Sequence, residues 1–275
     1  MKTRIAPTPS GYLHAGNGAA FVLAWMLARE AGGRVLLRID DLDAERVRPE
    51  YVEDIFRTLA WLGIDWDLGP RDGRQLAESW SQHLRLGEYN ALLGELRAEG
   101  HLYACSCSRK EVEARGCNRE YDGHCRNRGL DLNSPGVAWR LRIPCKGTVN
   151  MPVWPSGDIR QLELDMPDPV LRQRNGRPAY QIASLSDDLR FKVDLVVRGA
   201  DLLPSTLVQL CMADLLGRQA FGKAVFLHHA LLTGPAGGKL SKSAGAESLR
   251  HWRDNGKGPE EVHALAGRLR QLALP

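Results

Sequence analysis

No run in this sequence approaches the ~18 consecutive apolar residues that a membrane span needs. The opening MKTRIAPTPS also lacks the apolar stretch of a secretory signal. A cytoplasmic protein with no membrane partner is expected. A dominant charge sign is missing as well: 37 Lys and Arg face 33 Asp and Glu, a formal net charge of +4. That balance permits a basic face for nucleic acid without demanding one. Internal repeats and low-complexity tracts are absent, which removes solenoids and disordered linkers. Cysteine is sparse, at six residues in 275. In a chain this long with no export signal, a disulfide framework is not expected. Four of the six, Cys105, Cys107, Cys117 and Cys125, crowd into one short segment, a pattern that suggests metal. Cys145 and Cys211 read as small buried hydrophobes.

What is present is enough apolar residue, 43%, to build one large domain or two smaller ones. TRIAP reads as a short strand ending at Pro7, followed by a Gly-rich turn and the helix AAFVLAWMLAREAGG, closed by Gly32 and Gly33. RVLLRID is a buried strand. A helix over 49–62 follows, with Pro49 in its first turn and Val52, Ile55, Phe56 and Leu59 on one face. Strand, helix, strand, helix predicts an α/β fold with a parallel sheet. A further helix is expected from Ser79 to Glu99. The pattern breaks over 101–179, which reads as an insertion with its own fold, and resumes with the strand KVDLVVRG, the Ser- or Thr-capped helix STLVQLCMADLLG and the strand VFLHHALL. The expected divisions are 1–100 and 180–245 as two halves of a catalytic domain, 101–179 as the insertion, and 246–275 as a C-terminal helical segment.

Two stretches carry chemistry. In PTPSGYLHAGN, residues 7–17, prolines and glycines suit a turn, but a turn does not require His14. At the carboxyl end of a strand in a doubly wound sheet, a Gly-rich turn feeding a helix N-terminus offers free N–H groups and a positive dipole end to phosphate. His14 and Asn17 stand at that spot. The second stretch is KLSKS, residues 239–243, two lysines in a Gly-flanked loop. Each stretch alone also suits an ordinary turn or a solvated loop.

Together, His14-Ala15-Gly16-Asn17 and Lys239-Leu240-Ser241-Lys242-Ser243 resemble the two signatures of class I aminoacyl-tRNA synthetases, whose core is a Rossmann-like parallel sheet. The stretches RIAPTPSG, RIDD, LGIDWD and VRGAD look like the glutamyl branch, and the resemblance runs from about residue 4 to about residue 245. Only residues 244–275 follow Ser243, too few for an anticodon-binding domain. The short glutamyl-Q tRNA(Asp) synthetases are similar to this arrangement. That resemblance implies a monomer that activates glutamate with ATP and Mg²⁺, then attaches it to queuosine in the anticodon loop of tRNA(Asp). It implies His14 and Lys242 as catalytic residues. His14, Gly16, Asn17, Lys239 and Lys242 would hold ATP, and Arg4, Ile5, Ala6, Pro7, Thr8, Asp40, Tyr180 and Arg198 would hold glutamate.

The thiols match the same family's zinc motif, with Cys105, Cys107, Tyr121 and Cys125 as ligands to a structural Zn²⁺. The residues read alone suggest three cysteines and His124, since tyrosine is an unusual ligand. Cys117 is a further thiol beside them. Arg109, Lys110, Arg115, Arg119, Arg126 and Arg128 surround the motif as either an RNA surface or a solvated face.

Two departures touch the amino-acid pocket. The family's usual R-I-E-D reads Arg38-Ile39-Asp40-Asp41 here, moving the carboxylate that would hold the substrate ammonium by about 1.5 Å, a displacement that can cost ~10²-fold in rate. Glutaminyl-tRNA synthetases resemble this chain in carrying Asp there. Gln181 and Ser184 also depart from the usual pattern. A truncated enzyme that charges a tRNA 3′ end, and a non-catalytic nucleotide- or RNA-binding paralogue, are the alternatives.

Overall fold

The computed structural model describes residues 1–115, 120–144, 147–231 and 248–274. Apolar runs too short for helices become its strands. Four of them, β1 (Lys2–Ile5), β2 (Arg34–Leu37), β8 (Leu195–Gly199) and β9 (Val225–His229), lie in the parallel order β2-β1-β8-β9. Their residues are almost wholly buried, as expected of strands covered on both faces by helices.

The stretch expected as an insertion divides between two sheets. β3 (Leu102–Cys105), β4 (Ala138–Leu141) and β7 (Val170–Arg172) form a small antiparallel sheet of their own. β5 (Thr148–Val153) and β6 (Asp158–Glu163) form a hairpin that extends the main sheet, because β5 pairs in parallel with β9. β10 (Ala273–Leu274) adds an antiparallel edge to β9.

The helix expected over 19–33 is observed as Ala15–Glu30, starting one turn earlier at the His14 cap, and the one expected over 49–62 as Pro49–Trp61. The one expected over 79–99 is interrupted. Ser81 is extended, with ψ 139°, and its hydroxyl accepts the His83 N–H, so a π turn Leu76–Trp80 ends there and Gln82–Arg85 forms a 3-10 turn before the α-helix Leu86–Ala98. The helix Leu203–Leu215 begins before its expected Ser or Thr cap, with Pro204 in its first turn and no side-chain cap. Thr206 instead bonds the Leu202 carbonyl and contacts His228.

The helix Glu260–Gln271 crosses the first helix at Gly18. A Cβ on Gly18 would stand 2.7 Å from Leu249 Cδ1 and 3.0 Å from Val262 Cγ1, so glycine is what lets the C-terminal segment approach. The Leu249 N–H donates to the Leu13 carbonyl at 2.7 Å. These contacts fix the turn that precedes the first helix. No helix among the described residues is long and apolar enough to cross a membrane.

Candidate active site

A cavity of about 600 Å³ opens at the carboxyl ends of β1 and β8. β1 has β2 on one side and β8 on the other, so the chain reverses its direction of winding at this point, where doubly wound sheets bind their ligands. Arg4, Ala6, Pro7, Thr8, His14, Gly16, Asn17, Tyr180 and Arg198 all line it. Ile5 does not: strand alternation sends Arg4 and Ala6 to the cavity and Ile5, 1% exposed, into the core. Lys239, Lys242, Cys117, Cys145 and Arg119 lie outside the described residues.

His14 caps the first helix. Its Nδ1 accepts the Asn17 N–H, and Asn17 Oδ1 accepts the His14 N–H in return, a reciprocal capping box. With Nδ1 accepting, the neutral ring carries its proton on Nε2 and is a donor there. A Cβ on Gly16 would press within 3.1 Å of His14 Cε1, so Gly16 keeps the ring where the cap puts it.

Beneath the cavity, buried arginines meet buried aspartates. Asp188 accepts from Arg4 Nε at 3.2 Å and from Arg38 Nη1 at 2.8 Å. Asp187 accepts from Arg85 Nε at 2.6 Å, Gln82 Nε2 at 3.0 Å and the Tyr89 hydroxyl at 2.9 Å. Burial alone would raise the Asp187 pKa, but Arg85 and Arg38 hold it below the ordinary carboxylate range. Arg38 also grips Asp40 through Nε and Nη2, at 2.7 and 3.0 Å. Asp40 is therefore tied to Arg38 and is not among the residues lining the cavity.

Arg198 differs from these arginines. Its Nη1 bonds the neutral oxygens of Thr206 and Gln209, at 3.3 and 3.0 Å, while Nε and Nη2 are buried without a hydrogen-bond partner. Burial, with Arg4 as a neighbouring cation, pulls its pKa down to about 10 even though Tyr180 opposes the shift. It is still a cation at neutral pH. The unpartnered Nε and Nη2 form the same edge by which Arg85 holds Asp187 and Arg38 holds Asp40. The arrangement can take a carboxylate in two parallel bonds.

Away from the cavity, the sulfurs of Cys105, Cys107 and Cys125 lie within 4.8 Å of one another and could hold a metal ion. Burial pushes Cys107 up to about 11. Against the same burial, hydrogen bonds from the Ser106 backbone, Cys107 and Tyr121 bring Cys125 down to about 6. The Tyr121 hydroxyl accepts the Cys125 N–H at 2.6 Å, and Arg140 lies 3.5 Å from the centre of its ring. The exposed His124 ring instead meets Arg128 Nη1 through Nε2, at 3.3 Å. Of the surrounding basic residues, Arg115 pairs with Asp122, and Arg126 with Asp168. Cys211 is buried, 3% exposed.

Sequence reasoning missed Asp187, Asp188 and Arg85, which shape the site from below, and His229, which lines it. The signal was there in part: two adjacent aspartates in SLSDDLRF sit on the buried side of a helix.

The chain belongs to the class I tRNA synthetases of the glutamate and glutamine types, whose catalytic-domain model matches residues 1–270. Within that class, it is 39% identical to the glutamyl-Q tRNA(Asp) synthetase of Geobacter sulfurreducens, with 91% of this chain and 78% of that protein covered. It is 37% identical to the protein of that name from Nitratidesulfovibrio vulgaris, covering 93% and 82%. The glutamate–tRNA ligase of Oleidesulfovibrio alaskensis is 36% identical over 94% of this chain, which spans 55% of that longer protein. The crystal structure of glutamate-tRNA synthetase from Elizabethkingia anophelis superposes with a TM-score of 0.77 at 26% identity, covering 97% of this chain and 61% of that one.

Asp188 and Asp65 offer a contrast. Asp188→Asn takes the counter-charge from buried Arg4 and one of the carboxylates from buried Arg38, which keeps Asp40, and is expected to lower the unfolding free energy by about 3–5 kcal/mol. Asp65→Asn, in an exposed pair with Arg29, is expected to change it by less than about 1 kcal/mol. Urea unfolding of both variants checks this, and equal losses would refute the role given to Asp188.

Proposed function

We propose that this protein activates glutamate with ATP and transfers the glutamyl group to queuosine in the anticodon loop of tRNA(Asp). The observation that carries the reading is the unpartnered Nε and Nη2 edge of Arg198, buried in a cavity that His14 and the first helix also line. The coverage of most of the glutamyl-Q tRNA(Asp) synthetases supports the choice of acceptor.

Arg198 takes one carboxylate of glutamate through that edge. Arg4, held by Asp188, lends positive charge to the same pocket, with Thr8 and Tyr180 as hydroxyl neighbours. The α-carboxylate attacks the α-phosphorus of ATP, and the bond to pyrophosphate breaks. A carboxylate is already ionised at neutral pH, so no general base is needed. The chain's task is to place the reactants and neutralise developing charge. The His14 Nε2–H and the free N–H groups of the first helix suit the phosphates, with Lys239 and Lys242 as further cations. Mg²⁺ arriving with ATP would supply further positive charge to the phosphates. A queuosine hydroxyl then attacks the acyl carbon and AMP leaves. Asp40 would act on the amino-acid pocket indirectly, through Arg38, Asp188 and Arg4.

The thiol cluster fits zinc. Sulfurs around a tetrahedral zinc stand about 3.8 Å apart, given Zn–S bonds of ~2.3 Å, and Cys107 and Cys125 are separated by 3.5 Å. Tyr121 supplies the fourth donor, and bound zinc serves to pin the two cysteine-bearing segments together.

A second reading, charging of a tRNA 3′ end, is favoured by the likeness to glutamate–tRNA ligases. One experiment separates the two. Glutamate-dependent ATP–pyrophosphate exchange is expected with glutamate and not with glutamine or aspartate, and Arg198→Lys should reduce it by about a hundredfold or more. Labelled glutamate should enter tRNA(Asp) that carries queuosine and not tRNA lacking it. Label on queuosine-free tRNA supports 3′-end charging, and no exchange under any condition overturns the enzyme reading.

Atomic emission of the purified protein is expected to find one zinc per chain. Cys125→Ser should lose the metal, Tyr121→Phe should weaken its retention against a chelator, and His124→Ala should leave it unchanged. Loss in the His124 variant alone would reverse the choice of fourth ligand.

A further inference from the structure

Thr206 and Gln209 stand about one turn apart on the helix Leu203–Leu215, and both are fully buried. Each accepts from Arg198 Nη1, Gln209 through Oε1 at 3.0 Å and Thr206 through Oγ1 at 3.3 Å. A guanidinium only donates, so the oxygen of the Gln209 amide, and not its nitrogen, must face it. That choice turns Nε2 away from Arg198, and Nε2 is buried without a hydrogen-bond partner among the described residues. An amide left half satisfied in this way is destabilising.

Stability alone would favour another residue at this place. Glutamate has the same length and would carry no orphan N–H. Its carboxylate would also pair the buried charge, as Asp188 pairs Arg4 and Asp187 pairs Arg85. Glutamine does one thing that glutamate cannot: it accepts from the guanidinium and leaves the charge unmatched. The surroundings keep to the same pattern. Thr206 is a hydroxyl, and His228 Nε2, 2.8 Å from Thr206 Oγ1, belongs to a ring that burial holds neutral. Asp188 is already shared by Arg4 and Arg38. Arg198 lines the cavity, whereas Gln209 does not, so any effect of Gln209 on a ligand passes through Arg198.

We propose that Gln209 is a positioning residue for the amino-acid site: its neutral oxygen fixes Arg198 by Nη1 and keeps the guanidinium charge for a carboxylate of the substrate. This rests on the reading of the cavity as the place where glutamate is activated. The test is glutamate-dependent ATP–pyrophosphate exchange by the full chain and by Gln209→Met and Gln209→Glu, with KM for glutamate and KM for ATP measured separately. Gln209→Met leaves Arg198 charged and removes one anchor, and should raise the glutamate KM about threefold. Gln209→Glu keeps an acceptor at the same reach but neutralises the cation, and should raise it by about tenfold or more. The KM for ATP should stay near that of the unmodified protein in both. A role as a hydrogen-bond anchor alone predicts the reverse order, with Gln209→Glu close to the unmodified protein, and that result overturns the proposal while leaving the activation reading intact. Equal rises in the two KM values mark general damage to the fold and also overturn it. If the unmodified protein shows no exchange, the activation reading fails and this proposal fails with it. Should Gln209→Glu not fold, Gln209→Met decides the matter, and an unchanged glutamate KM in it overturns the proposal.

Discussion

The adjacent aspartates on the helix Tyr180–Arg190 are the constraint on which the site depends. Asp188 joins the end of β1, through Arg4, to the segment after β2, through Arg38. Asp187 joins the same helix to Gln82, Arg85 and Tyr89. Taking these charges out of water costs several kcal/mol per ion. The cost is tolerable because carboxylate lone pairs and guanidinium protons satisfy one another at close range. Apolar residues of similar volume could fill the space, but they would not hold Arg4 at a fixed angle beneath the cavity.

Against that network, Arg198 stands out by its neighbours. Arg4, Arg38 and Arg85 each meet an aspartate, whereas the hydrogen-bond partners of Arg198 are the neutral Thr206 and Gln209. His228, on the paired strand, is kept neutral by burial and by Arg198 itself, with its pKa lowered to about 3. It therefore does not compete as a cation. Among the described residues beneath the cavity, Arg4, Arg38 and Arg85 are thus matched by carboxylates, and Arg198 is bonded only to neutral oxygens. The opposite rim relies on packing: His14 is fixed by its own capping box, by Gly16, and by the C-terminal segment held against Leu13 and Gly18. Leu269 of that segment reaches the cavity wall.

How much was legible in the sequence follows from the range of each interaction. Strand and helix positions were readable because their periodicity is local, and the cap at His14 and Asn17 lies within four residues. The pairing of β5 with β9 was not readable, since it joins Val153 to Phe226 and no local pattern records such a partner. The break at Ser81 hid inside a mixed stretch, LAESWSQHLRL, whose spacing of apolar residues otherwise suits a helix. Arg4 and Arg198 were singled out through resemblance, but their difference in neutralisation depends on Asp188, 184 residues from Arg4. The tie between Arg38 and Asp40 lay within two residues, yet RIDD alone does not say which way the acid turns.

The basic residues around the thiol cluster show why a count of charges is a poor guide to a nucleic-acid surface. Arg126 is committed to Asp168 and the Ile143 carbonyl, and Arg115 to Asp122 and Cys107. Their charge is largely matched within the protein, so neither can contribute a full counterion-releasing contact to phosphate. Arg109, Lys110 and Arg128 remain exposed. The committed arginines instead stiffen the platform: Arg126 shares Asp168 with the Tyr103 hydroxyl, and Tyr103 packs with Cys105, Tyr121 and Cys125. Among the described residues, Arg115 and Arg126 are therefore part of the construction around the thiols, and the exposed basic side chains beside them are Arg109, Lys110 and Arg128.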